Sequence, residues 1–151
     1  MIDMKMTILH PNLKVLLTLA VSILFSSAFA VPSYAQRITD ASYRTSGYIK
    51  DDGTVQDASY RIVAHLKKDG TVQDASYRIV GHIKDNGMVQ DASYKTIGFI
   101  KSDGTVQDSS YRVIGHIKDD GTIQDQSFRI IGYAKGVPAQ WATMYFFFKR
   151  W

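Results

Sequence analysis

The chain has no cysteine, and all 14 of its acidic residues are aspartate. Without cysteine there are no disulfides, no thiolate metal centre, no cysteine nucleophile and no lipid-modified N-terminal cysteine. The missing glutamate is unusual for a helical or catalytic protein. It suits a turn-rich β protein, where the short aspartate side chain serves turn geometry. Charge of one sign is also scarce: the net charge of +4 is spread along the 151 residues, so composition gives no footprint for nucleic acid. The length allows one modest domain.

Long apolar runs are lacking except near the start. Lys5, His10 and Lys14 precede an uncharged stretch from Val15 to Val31, whose strongly apolar part, Val15 to Phe25, has the length of a signal-peptide core. Small-x-small sites follow at Ala28-Phe29-Ala30 and Ser33-Tyr34-Ala35. Pro32 ends any helix and a cut after Ala35 leaves a polar new terminus, so residues 1–35 read as a cleaved export signal. An uncharged run of about 17 residues is at the bottom of the range for a membrane-spanning anchor. The expected address is outside the cytoplasm: periplasm, cell surface or extracellular medium.

Residues 36–136 are written as one 17-residue unit repeated five and a half times. From Asp40 the units read DASYRTSGYIKDDGTVQ, DASYRIVAHLKKDGTVQ, DASYRIVGHIKDNGMVQ, DASYKTIGFIKSDGTVQ and DSSYRVIGHIKDDGTIQ, and a sixth breaks off as DQSFRIIGYAKG. A constant period means that each unit meets its neighbour in the same way. In YRIVGHIK, alternation places Tyr77, Ile79, Gly81 and Ile83 on one face and Arg78, Val80, His82 and Lys84 on the other, the pattern of a half-buried strand. Asp-Gly or Asn86-Gly87 then gives the strongest local hairpin signal, with a type I′ turn expected. A shorter strand centred on Val or Ile follows, and Asp-Ala-Ser makes the next turn.

The fold class is therefore all-β: tandem hairpin repeats forming either a meander of eleven or twelve strands, which would curl or coil, or a solenoid-like stack. The column Gly47, Ala64, Gly81, Gly98, Gly115 and Gly132 marks close backbone approach, and the rings of Tyr43, Tyr60, Tyr77, Tyr94, Tyr111 and Phe128 are expected to lie over it from adjacent strands. Spanning strands need about 9–11 residues, which argues against a membrane barrel.

The unit GYIKxDGTVQDASYRxI resembles tandem units of uncharacterised exported bacterial proteins that also end in an aromatic-rich tail, and this resemblance covers Asp40 to Trp151. More loosely, GYIK-DDG-TV…Y is similar to the hairpin repeats called WG and MORN repeats. The Trp of the WG motif is absent and the period is shorter than in either. The resemblance implies hairpin units and a role as an interaction or membrane-proximal module, with no catalytic activity attached.

Candidate chemistry follows the repeat columns. His65, His82 and His116 share a column with Tyr48, Phe99 and Tyr133, so its rule is a flat ring, and metal ligation is not expected. The pairs Asp51-Asp52 and Asp119-Asp120 lack the glutamate and fixed frame of a calcium loop and read as turns. Every Asp and Ser recurs from unit to unit, so no catalytic residue is singled out. No enzyme activity and no cofactor are expected. The ring column Tyr48, His65, His82, Phe99, His116 and Tyr133, flanked by Arg and Lys, is the candidate binding face for glycan or another envelope polymer.

Residues 137–151 break the repeat, placing Trp141, Tyr145, Phe146, Phe147, Phe148 and Trp151 within eleven positions. The segment is expected to cap the last repeat as a final strand, with attachment to an envelope protein or peripheral membrane contact as the competing role. The functional expectation is a non-enzymatic structural or binding module of the cell envelope.

Overall fold

The computed structural model describes residues 34–151; all but the last two residues of the segment read as an export signal lie outside the described residues. Twelve short strands follow in chain order: β1 (Ala35–Asp40), β2 (Thr45–Lys50), β3 (Thr54–Asp57), β4 (Ile62–Leu66), β5 (Thr71–Asp74), β6 (Ile79–Ile83), β7 (Met88–Asp91), β8 (Thr96–Ile100), β9 (Thr105–Asp108), β10 (Val113–Ile117), β11 (Thr122–Asp125) and β12 (Ile130–Tyr133). One helix, α1 (Ala139–Phe146), comes last. Each strand pairs antiparallel with its sequence neighbours, and β12 pairs with β1, so the sheet closes into a barrel. The expected open meander or solenoid-like stack is thus corrected to a closed barrel. Closure removes the sheet edges that an open array of this length would expose.

The closing strand was hidden in the residues before the first unit. Arg37-Ile38-Thr39-Asp40 lies one period before Thr54-Val55-Gln56-Asp57 and takes the same part. Ile38 faces Gly47 as Val55 faces Ala64, and on its other side Asp40 faces Gly132 as Asp57 faces Gly47. The sixth unit, which lacks its own second strand, therefore receives β1. The edge of β12 that the tail was expected to cover is already paired.

Both kinds of turn have one geometry. The Lys50 carbonyl accepts the Gly53 N–H, Lys50 and Thr54 flank a three-residue loop, and only the third loop residue has positive φ, +84° at Gly53. This is the three-residue hairpin closed by a left-handed residue, not the two-residue type I′ turn expected from Asp-Gly. At the opposite end of the barrel the Asp57 carbonyl accepts the Tyr60 N–H, and Tyr60 occupies the left-handed position at φ 62°.

A β-bulge in each long strand changes which side chains face inward. Val72 faces Gly81, but Gln73 faces Ile79, so one residue is inserted between them. The insertion breaks the strict alternation: Gly81 and Ile83 are buried as expected, whereas Ile79 is 48% exposed and Val80 packs against the core. Tyr77, expected inside, is 63% exposed.

The lumen is lined by Val55, Val72, Val89, Val106 and Ile123, with a second tier that includes Ile49, Leu66 and Ile83. Strand side chains fill a barrel of about eight strands; a twelve-stranded one needs further contents. The tail supplies them. It is a helix inside the barrel, where a capping strand was expected, and it leads into a run of rings. The Tyr145 hydroxyl donates to the Ser46 carbonyl at 2.8 Å and lies over Gly47. Phe146 then covers Gly132, Phe147 covers Gly115 and Phe148 covers Gly98, so four consecutive aromatics serve four consecutive units around the wall. A backbone carbonyl of the neighbouring strand approaches the Cβ position of every glycine in the column, and the tail, not the repeat tyrosines, covers four of them. The tail rings do not reach Gly81, and the remaining position of the column holds Ala64.

Adding a Cβ at Gly115 would drive it into the Phe147 ring and the Gln124 carbonyl, whereas at Gly81 it meets only the Gln90 carbonyl, at 2.8 Å. Gly115→Ala should therefore cost about 1–3 kcal/mol through overpacking, and Gly81→Ala, which meets no ring and stands where the second unit has Ala64, should cost less. Denaturant unfolding of the two variants checks the order; equal losses would contradict the ring-by-ring contact.

Candidate functional site

The outer wall carries the residues that the sequence singled out as a binding face, and each has a partner that the sequence did not reveal. In every unit the aromatic residue held in the left-handed turn position lies flat against a ring on a neighbouring strand. Tyr60 stacks on Tyr48, Tyr77 on His65, Tyr94 on His82, Tyr111 on Phe99 and Phe128 on His116, with centroids 4.4 to 4.7 Å apart. Tyr43 stacks on Tyr133 at 4.5 Å, so the pair formed across the β1–β12 closure completes a belt of six. The structure brings all six candidate ring residues into equivalent sites, one per unit. Each is covered on one side by its turn aromatic, while the turn rings are 60–66% exposed.

Local chemistry holds each turn ring in place. In the second unit Asp57 Oδ1 accepts the backbone N–H groups of Ser59 and Arg61, at 2.8 and 3.0 Å, and Oδ2 accepts from the Arg61 guanidinium at 2.8 Å. The amide of Gln56 donates to the Tyr60 carbonyl at 3.0 Å, tying down the strained residue itself. A left-handed non-glycine residue costs about 1–3 kcal/mol. An aromatic pair returns about 0.5–1.5 kcal/mol and each hydrogen bond about 1 kcal/mol, enough to offset that cost. Tyr48 and Tyr60 add a hydroxyl–hydroxyl bond of 2.9 Å, which raises the Tyr60 phenol above its ordinary range.

The charged rim is largely neutralised by its own geometry. Arg44, Arg61, Arg78, Arg112 and Arg129 each pair with the Asp four residues earlier, while their side chains stay about four-fifths exposed. Lys95 takes the same position in the fourth unit. Such exposed pairs contribute little stability, but they fix cations beside the rings. Lys84 adds an ammonium 5.8 Å from the Tyr94 ring centre. The three histidines sit in separate ring pairs, and among the described residues no cluster of three His or Asp has the proximity to hold a metal ion.

The tail residues offered for attachment lie elsewhere. Trp141, Tyr145 and Phe148 are buried in the lumen, and Phe146, Phe147 and Trp151 are half-buried. A surface contact by these rings would require the tail to leave the barrel. The turn aromatics are the feature that sequence reasoning misplaced. The available signal was the matching of K-D-D-G-T and D-A-S-Y-R as two loops of equal length, which puts Tyr60 where the other loop has glycine.

Fold and site together define a closed, repeat-built β barrel with a plugged lumen and an outer belt of paired rings. The chain belongs to the family described as 5-fold beta-flower protein, which it matches over residues 35–149. No curated protein and no solved structure shows significant similarity to it.

The turn carboxylates make the fold sensitive to acid. Asp52, Asp69, Asp103 and Asp120 are held below the ordinary carboxylate range, chiefly by the backbone N–H of the threonine two residues on. At Asp57 and Asp74 desolvation pushes upward, but hydrogen bonds from the backbone and the guanidinium outweigh it. A lowered folded pKa stabilises fully above the unfolded value of about 4, and the contribution is lost as pH falls toward the folded value. Asn86 already accepts the same bond, from the Met88 N–H at 3.1 Å, without a charge. Replacing Asp52, Asp69, Asp103 and Asp120 with Asn should leave the neutral-pH melting temperature nearly unchanged and reduce the loss of stability below about pH 4. Thermal melts across pH check this; an unchanged acid profile would contradict it.

Proposed function

We propose that the protein is an exported, non-enzymatic binding module of the cell envelope whose belt of ring pairs engages glycan or another envelope polymer. The observation that carries this reading is the aromatic residue kept at positive φ in all six turns. The opposite rim solves the same turn with glycine, which fits without strain. Keeping Tyr or Phe instead leaves six flat rings with one face stacked and the ring largely exposed, beside fixed cations. Sugars and polymers with apolar faces are held by such rings, and sixfold repetition converts weak single contacts into avidity. Export rests on the apolar run Val15 to Phe25 and the site at Ser33-Tyr34-Ala35; a cut there leaves Gln36 to Asp40 available to close the barrel. The likeness of the GYIKxDGTVQDASYR unit to repeats of exported bacterial proteins supports the same address. A second reading, a purely structural envelope component, follows from the rigidity of a closed and filled barrel.

Tyr60, Tyr77 and Tyr94 can be replaced together by Gly, which accepts the left-handed backbone and so removes rings without adding strain. The parent protein should be retained saturably on native envelope glycan, and the triple variant should lose at least about tenfold in affinity while remaining folded. Equal retention of both would rule out the belt as the binding face. Absence of retention on any envelope fraction would favour the structural role.

A further inference from the structure

The tail fills the barrel unevenly. Its rings cover the glycine column at four units, and then the chain turns toward the Asp-Ser rim as Lys149-Arg150-Trp151. The rings do not reach Gly81, and a cleft of about 840 Å³ opens between the rim of the second and third units and the tail. That size is within the range of about 300–1,000 Å³ typical of small-molecule sites.

The floor of the cleft is apolar, made by Ile62, Val63, Ile79 and Val80, the residues around the bulges of β4 and β6. The unpaired charge at the cleft is all of one sign. Asp57 and Asp74 line the cleft, but their oxygens already accept from neighbouring N–H groups and from Arg61 and Arg78. The donors are unmatched. Lys149 and Arg150 are exposed at the lip and form none of the ion pairs among the described residues. Lys149 Nζ instead lies 5.1 Å from the Tyr145 ring centre.

We propose that this cleft binds a single-chain amphiphile with an anionic head, of the fatty-carboxylate class. The carboxylate would meet Lys149 and Arg150 at the lip, while the chain lies along the β-branched floor. Neither half suffices alone: the cations are solvated, and the floor offers an apolar body no polar anchor. The site lies at the barrel mouth on the turns that carry Tyr60 and Tyr77, whose rings do not line it, and its occupation does not depend on the polymer-binding reading.

Decanoate, titrated calorimetrically into the purified protein below its aggregation concentration, tests the assignment. Saturable binding at one site per chain is expected, with no measurable binding of acetate or inorganic phosphate and at least about tenfold weaker binding of decyltrimethylammonium. The double variant Lys149→Gln/Arg150→Gln should lose at least about tenfold in affinity. Ile79→Asp, at a half-exposed position that the core can spare, should do the same. A Tyr111/Phe128→Gly variant, altered in belt turns that do not line the cleft, should bind decanoate as the parent does, which separates this cleft from the belt. No saturable decanoate binding, equal binding of the cationic amphiphile or of acetate, or undiminished binding by both cleft variants would overturn the proposal.

Discussion

A ring of twelve short strands encloses more space than its own inward side chains can occupy, and the architecture is organised around filling it. Each long strand contributes a small residue at mid-height, and at four of the six the space so left is taken by the aromatic tail. The two features require each other. Glycine columns without the tail would expose backbone in an empty lumen, and rings without the glycines would collide with the wall. One ring per unit is also how a continuous segment can pack against a rotationally repeated wall. Tyr145, Phe146, Phe147 and Phe148 meet Gly47, Gly132, Gly115 and Gly98 in turn, advancing one unit per residue. Burying a ring of this size contributes about 1.5–3 kcal/mol, so four of them form a large share of a small domain's stability.

The same loop geometry at both rims makes their different residues informative. At one rim the left-handed position is glycine, the inexpensive choice. At the other it is Tyr or Phe, which is strained and must be held by stacking, by the Asp side chain bridging two backbone N–H groups, and in five of the six turns by a Gln amide. Stability alone gives little reason for that choice, because stacking and strain nearly cancel. What the choice does produce is an outward array of exposed rings, and the proposed binding role rests on that array.

The repeat, the hairpins and the aspartate-based turns were legible in the sequence because they depend on local chemistry: a fixed period, Gly after Asp or Asn, and Asp two residues before a backbone donor. What was not legible depended on closure. Arg37-Ile38-Thr39-Asp40 is a degenerate copy of the short strand, and its importance appears only when β12 is seen to need a partner. The bulge at Ile79 defeats an alternation argument, because one inserted residue reverses the faces before it. The tail read as a strand because four consecutive aromatics carry no helical period, yet inside a barrel every side of a short helix can be buried. The six residues of the ring column occupy equivalent places on the outer wall, but the turn aromatics that stack on them were expected to lie over the glycine column.

The central claim is the register between the tail rings and the mid-strand column, and proton NMR reads it directly. The Hα resonances of Gly98, Gly115 and Gly132 should be displaced by ring currents and show nuclear Overhauser contacts to Phe148, Phe147 and Phe146 respectively, with Gly81 showing no contact to any tail ring. Contacts from these glycines to Tyr77, Tyr94 or Tyr111 instead, or random-coil shifts for the tail aromatics, would contradict the account.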